Sequence, residues 1–134
     1  MEIDIRNPRL DEYGAAEHIM EQVHQMHIGW RPDIYKQSKP VLPFEMYRQA
    51  VETGTFFVAE YGGEIAGILL IFFKHIESPN HAPRKIIFVD AMAVDEKYRG
   101  KGIGHAFFGF LKKIKEQKCY DGIALQVNSK NTAA

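Results

Sequence analysis

The chain has 134 residues, 46% hydrophobic and 25% charged, with 17 basic and 17 acidic side chains that cancel. That length favours one domain, residues 1–134, with a real core, and the charge balance argues against a nucleic-acid binder. No apolar run approaches the ~20 residues that span a bilayer, residues 1–6 lack a signal-peptide pattern, and Cys119 is the single cysteine, which excludes an intrachain disulfide or a cysteine zinc site and fits a reducing cytoplasm.

Glu2 to Arg6 alternates polar and apolar residues and reads as a first strand. Pro8 suits the first turn of a helix, and the near-3.6 spacing of Tyr13, Ala16, Ile19, Met20, Val23 and His27 predicts helix from Leu10 to Ile28. Gly29 to Asp33 should break it. A second, short helix runs from Phe44 to Glu52. Thr55 to Tyr61 reads as a strand and Gly62-Gly63 as a hairpin turn. Glu64 to Lys74 is the partner strand, with Gly67 as its expected bulge. Residues 78–83 read as a loop. Arg84 to Val94 is almost continuously apolar, the pattern of a strand covered on both faces near the sheet centre. Ile103, Ala106, Phe107, Phe110, Leu111 and Ile114 form the apolar stripe of a third helix. Ile123 to Val127 is a further strand, and Asn128 to Ala134 opens a helix. The order is β-α-α-β-β-β-α-β, a mixed α/β fold.

Between the long apolar strand and the third helix lies Tyr98-Arg99-Gly100-Lys101-Gly102-Ile103-Gly104. Glycines let a ligand approach the backbone without Cβ clashes. The first N–H groups of a helix point outward and carry about half a positive charge. Arg99 and Lys101 add cations. Residues 95–118 hold seven basic and three acidic side chains, +4 against −4 for the remainder. This is a receptor for a phosphate-bearing ligand. It is not a Walker loop, since no Gly-Lys-Ser/Thr ends it, and not a Rossmann fingerprint, since His105 stands where the third glycine belongs.

The whole stretch from Val89 to Gly104 resembles the acetyl-CoA motif of the GNAT acetyltransferase superfamily, Arg/Gln-x-x-Gly-x-Gly/Ala after a strand ending in Val. Arg99, Gly102 and Gly104 fill its fixed positions. The resemblance implies the GNAT fold, a mixed, mostly antiparallel sheet flanked by helices. It implies acetyl-CoA (or CoA) as the cofactor, with the backbone of Met92, Ala93 and Val94 pairing with the pantetheine arm. Arg99, Gly100, Lys101, Gly102, Ile103 and Gly104 would hold the pyrophosphate. Asn131 matches an asparagine that often contacts the cofactor, although a plain helix N-cap explains it as well. The usual last helix and strand pair, with the tyrosine that often serves as general acid, have no counterpart before residue 134, so the fold reads as C-terminally truncated.

The chemistry implied is transfer of acetyl to a primary amine by direct attack on the thioester. The acceptor would be a small molecule or a protein N-terminus. An alkylammonium of pKa ~10.4 must first lose a proton, which calls for a base. Asp90 is the candidate base: a carboxylate in an apolar strand is costly unless solvated, paired or used. Gln126 stands where some members carry a glutamate and cannot serve. Trp30 and Tyr35 are candidates for the acceptor wall, weighed against plain packing on the sheet. The exposed edge expected at residues 123–127 invites a homodimer. An alternative reading is a non-catalytic CoA-binding or assembly module. His18, His24 and His27 lack the spacing of a metal site.

Overall fold

The elements follow from the patterns above. In the computed structural model, which describes residues 2–30, 33 and 41–125, the strands are β1 (Ile3–Arg6), β2 (Phe56–Tyr61), β3 (Glu64–Ser78), β4 (His81–Val94) and β5 (Gly122–Leu125). The helices are α1 (Tyr13–Trp30), α2 (Phe44–Thr53) and α3 (Ile103–Gln117). Among the described residues the five strands form one sheet in the order β1-β2-β3-β4-β5. The first four pair antiparallel, and β5 joins β4 in parallel through the α3 crossover. No helix among the described residues is long and apolar enough to cross a membrane.

The sheet is covered on both faces, so its inner strands read as continuous apolar runs. Along β2 the alternation sorts the run: Phe57 and Ala59 pack with Ile103, Phe107, Leu111 and Ile114 of α3. Phe56 and Val58 pack with Ala16 and Ile19 of α1 and Tyr47 and Ala50 of α2. The α3 stripe is thus the core face expected of it.

Four boundaries differ from the sequence reading. Leu10–Glu12 is a 3-10 turn preceding α1, and α1 continues through Gly29 to Trp30 rather than breaking there. One exposed glycine in a last turn costs only about 1 kcal/mol. The β3–β4 hairpin is longer than expected, leaving only Pro79 and Asn80 between the strands. Pro83 is tolerated inside β4 because the ladder to β3 is already irregular between Ile76 and Ser78, and β5 begins only opposite Ile86. A missing N–H there forfeits no ladder bond. Finally, the bulge expected at Gly67 falls on Ala66, which the register skips between Gly67–Ala59 and Ile65–Glu60. Gly67 is a glycine for another reason. A Cβ there would lie 2.9 Å from Ile103 Cγ2, 3.0 Å from Phe107 Cε2 and 3.1 Å from the Ala93 carbonyl.

At the β1 edge Arg6 joins three elements. Its guanidinium donates to Glu12 at 2.9 Å and, through Nε, to Glu60 at 3.2 Å. The hydrogen bonds from Arg6 push the Glu12 carboxyl down to about 2, against the opposing effect of burial.

Candidate active site

The Gly-rich segment is held from several sides. Asp95, 6% exposed, caps the 3-10 turn Glu96–Tyr98 by accepting from the Lys97 N–H at 3.0 Å. Its own N–H donates to the Ala66 carbonyl at 2.8 Å, fixing the end of β4 to the bulge in β3. The Glu96 N–H donates to Gln22 Oε1 of α1 at 3.1 Å, and Arg99 Nη2 reaches Met26 Sδ at 3.2 Å. Tyr98 stacks edge-on against Tyr61 of β2 at 5.7 Å and donates its hydroxyl to Glu64 of β3. The bond to the Glu64 carboxylate also raises the Tyr98 pKa. Motif reading missed Asp95, Gln22, Glu64 and Tyr61. The Asp-x-Lys spacing of a side-chain cap was the one local signal available; the other three act across long sequence separations.

So braced, the segment turns twice through the left-handed region, at Gly100 (φ 79°) and Gly102 (φ 85°). Gly102 is the N-cap of α3 and supplies no side-chain cap. The first bond inside the helix is the Ala106 N–H to the Gly102 carbonyl at 2.9 Å. The N–H groups of Ile103, Gly104 and His105 therefore precede the helical ladder and lack a capping side chain. A Cβ built on Gly100, Gly102 or Gly104 would meet nothing within 4 Å. Open space, outward N–H groups and the exposed Arg99 and Lys101 are a donor set that fits a diphosphate. Ile103 faces the other way, buried at 2% against the sheet.

Met92, Ala93 and Val94 pair on one side with Leu69, Ile68 and Gly67 of β3. On the other side, β5 pairs with β4 from Ile86 to Val89. Among the described residues the outer edge from Asp90 to Val94 has no strand on it. Asp90 is at the start of this open edge. The register passes from Ile71–Val89 to Leu70–Ala91 and leaves Asp90 as an unpaired bulge residue. Asp90 is exposed, so water meets the cost of its charge. Trp30 ends α1 and its side chain lies outside the described part; Tyr35 and Asn131 also lie outside the described residues, as do Gln126 and Val127.

Two clefts flank the braced turn. One, of about 430 Å³, lies between Gly14, Gly63, Glu64, Asp95, Lys97 and Tyr98. The other, of about 510 Å³, is formed by His18, Glu21, Gln22, Gln25, Met26 and Glu96. Neither includes Gly100–Gly104 or Asp90. No group of three or more His, Cys, Asp or Glu able to hold a metal occurs among the described residues.

A bulged inner strand, a glycine turn and an uncapped helix N-terminus thus lie in succession from Asp90 to Gly104. The chain belongs to the GNAT acetyltransferase family, whose model matches residues 20–134. That family generally uses acetyl-CoA. Among solved structures, the chain is similar to a mutant of the BH1408 protein from Bacillus halodurans. The two are 26% identical, with a TM-score of 0.88 over 96% of this chain and 85% of that one. It has the same fold as the ribosomal-protein-alanine N-acetyltransferase of Brucella melitensis biovar Abortus 2308 (17% identity, TM-score 0.67, 97% and 83% covered). The same holds for glucosamine-6-phosphate N-acetyltransferase from Arabidopsis thaliana (16% identity, TM-score 0.66, 98% and 86% covered). Sequence comparison with functionally curated proteins finds no match.

Proposed function

We propose that this chain, as one domain, transfers an acetyl group from acetyl-CoA to a primary amine of a small molecule or a protein N-terminus, in the cytoplasm and as a homodimer. The observation that carries the reading is the uncapped α3 N-terminus, with Gly100 and Gly102 left-handed and space open before them. Backbone N–H groups of Gly100 to Gly104 and the cations of Arg99 and Lys101 bind the pyrophosphate. The outer edge of β4 at Met92, Ala93 and Val94 pairs with the pantetheine arm. Asn131 adds a cofactor contact, and Trp30 and Tyr35 wall the acceptor.

Acetyl-CoA supplies an activated acyl group whose thiol, of pKa ~8.5, leaves without much help. What the chain must supply is deprotonation and position. Asp90, exposed at the bulge, takes the proton that leaves the acceptor ammonium, directly or through water. Backbone N–H groups of β4 beside the bulge polarise the acyl carbonyl.

The test has two arms. Millimolar CoA should raise the melting temperature, as any ligand specific to the folded state does, while ATP should not. Asp90→Asn should leave that shift intact and lower turnover on an amine panel by about 10²–10⁴-fold, the usual worth of a general base. No shift with CoA would refute the donor site. Unchanged turnover in Asp90→Asn would remove Asp90 from the chemistry.

A further inference from the structure

The β3–β4 hairpin runs on past the rest of the sheet. The last pair between β2 and β3 is Phe56–Leu70, and the Ile71 N–H then donates to the Thr55 carbonyl at 3.0 Å. Beyond it, among the described residues, no strand lies on the outer edge of β3 from Phe72 to Ser78. The Ile71 N–H points to that edge, so alternation along the strand points the N–H groups of Phe73, His75 and Glu77 the same way. Proteins usually guard such an edge with charge, above all with lysine. Here Lys74 lays its Nζ back over the Phe88 ring of β4, 4.1 Å from the centroid. Glu77 balances its charge, and Phe72, Phe73 and Ile76 are 40%, 37% and 51% exposed. An unguarded, apolar edge without net charge invites another strand.

We propose that this edge pairs with the same edge of a second copy, antiparallel about a two-fold axis at Ile76. The inference rests on the homodimer proposed above and sets its interface here rather than at residues 123–127. Residues directly opposite each other in an antiparallel pair share a face of the sheet. A two-fold axis must therefore lie between one residue and its own copy, and few positions can serve. An axis at His75 brings the partner's Pro79 opposite Ile71, the place that Thr55 holds, and an axis nearer the sheet collides further. An axis at Glu77 sets two carboxylates face to face. With the axis at Ile76, the partner's Pro79 stands opposite Phe73, and the ladder stops two positions short of Thr55. Ile76 then meets its own copy on the axis. His75 lies opposite the partner's Glu77, and Glu77 opposite the partner's His75, two matched polar pairs. These are the residues whose backbone groups point outward, so each pair also exchanges two main-chain hydrogen bonds. Lys74 falls opposite the partner's Ser78. The joint is about 30 Å of strand from Gly67, which pairs with Val94, so both glycine turns stay open to a donor.

Sedimentation velocity over a concentration series tests the pairing. The parent should be a dimer. Ile76→Lys sets two ammonium groups on the axis and should weaken that dimer at least about tenfold, through lost burial and like-charge repulsion. Its circular dichroism should match the parent's, because Ile76 belongs to neither core cluster. His75→Glu and Glu77→Lys test the register. Each alone spoils both polar pairs and should weaken the dimer. An equimolar mixture of the two should associate again, since the carboxylate introduced at position 75 of one chain faces the ammonium introduced at position 77 of the other. A parent dimer untouched by Ile76→Lys overturns the interface and leaves the homodimer standing. A mixture no better associated than its components overturns the register and the proposal with it. A parent that sediments as a monomer at every concentration fails earlier, at the homodimer itself, and the inference falls with it.

Discussion

Gly67→Ala tests how closely α3 is set on the sheet. The added Cβ would stand 2.9 Å from Ile103 Cγ2 and 3.0 Å from Phe107 Cε2, closer than carbon atoms tolerate. Neither neighbour yields easily. Cγ2 hangs directly on Cβ of a β-branched side chain that has one strongly preferred rotamer in a helix, and Phe107 is fully buried. Relief requires the first turn of α3 to lift off β3. Overpacking of this kind costs about 1–3 kcal/mol, offset by about 0.4–1 kcal/mol from a less flexible unfolded chain. A net loss of about 1–2 kcal/mol lowers the melting temperature by about 3–8 °C for a chain of this size. Because Ile103 begins the helix whose N-terminus faces the proposed pyrophosphate, CoA affinity should fall too. The assay is paired: thermal unfolding alone, and calorimetric titration with CoA. Ile103→Ala removes Cγ2, so the double variant should be more stable than the two single losses summed, by about 0.5–3 kcal/mol for groups in contact. A Gly67→Ala protein that melts as the parent does, or a strictly additive double variant, refutes the reasoning.

Two further predictions concern the braces. Asp95→Ala removes the cap on the Lys97 N–H, worth about 0.5–2 kcal/mol. It should weaken CoA binding several-fold while circular dichroism stays unchanged, and Asp95→Asn should recover most of the loss. Wild-type affinity in Asp95→Ala would mean the turn holds its shape without the cap. Glu12 carries a carboxyl lowered from 4.5 to about 2 by Arg6. Its contribution is complete above pH 4.5 and is lost as pH falls toward 2. Glu12→Gln should therefore cost about 1–3 kcal/mol in urea unfolding near neutral pH, with the gap to the parent closing under acid. A gap that persists at low pH would assign the loss to shape rather than charge.

What the sequence reveals is what is local. The 3.6-residue stripe of α3 needs no partner to be read, and neither does the Gly62-Gly63 hairpin turn or the glycine turn before Ile103. The features it hides depend on register or on distant neighbours. Ile86, Ile87, Phe88 and Val89 are apolar at both parities, so the phase of β4 is invisible until β3 is laid beside it. Gly67 looked like a bulge because a glycine inside a strand often is one; its true constraint comes from Ile103 and Phe107, far along the chain. Gln22 and Glu64 carry no motif, and their use as braces follows only from the crossing of α1 and β3 near Asp95.

The bulge at Asp90 shows why a site can be legible while its logic is not. Were Asp90 kept but paired in a regular ladder, Met92 and Val94 would turn toward α1 and α2 and Ala93 toward α3, reversing the packing observed on both faces. The bulge absorbs the one residue in excess, since Ile71–Val89 and Leu70–Ala91 are already consecutive pairs on β3. The core therefore does not demand Asp90: without it, residues 91–94 keep their faces. Deleting Asp90 should leave the chain folded and remove turnover on an amine panel. Asp90→Asn should keep stability within about 0.5 kcal/mol, as surface changes usually do. If both hold, the insertion and its carboxylate belong to function rather than to the fold. A deletion that unfolds the chain would return the bulge to the fold, and an Asp90→Asn protein that loses stability would return the carboxylate to it and leave the amine without a base.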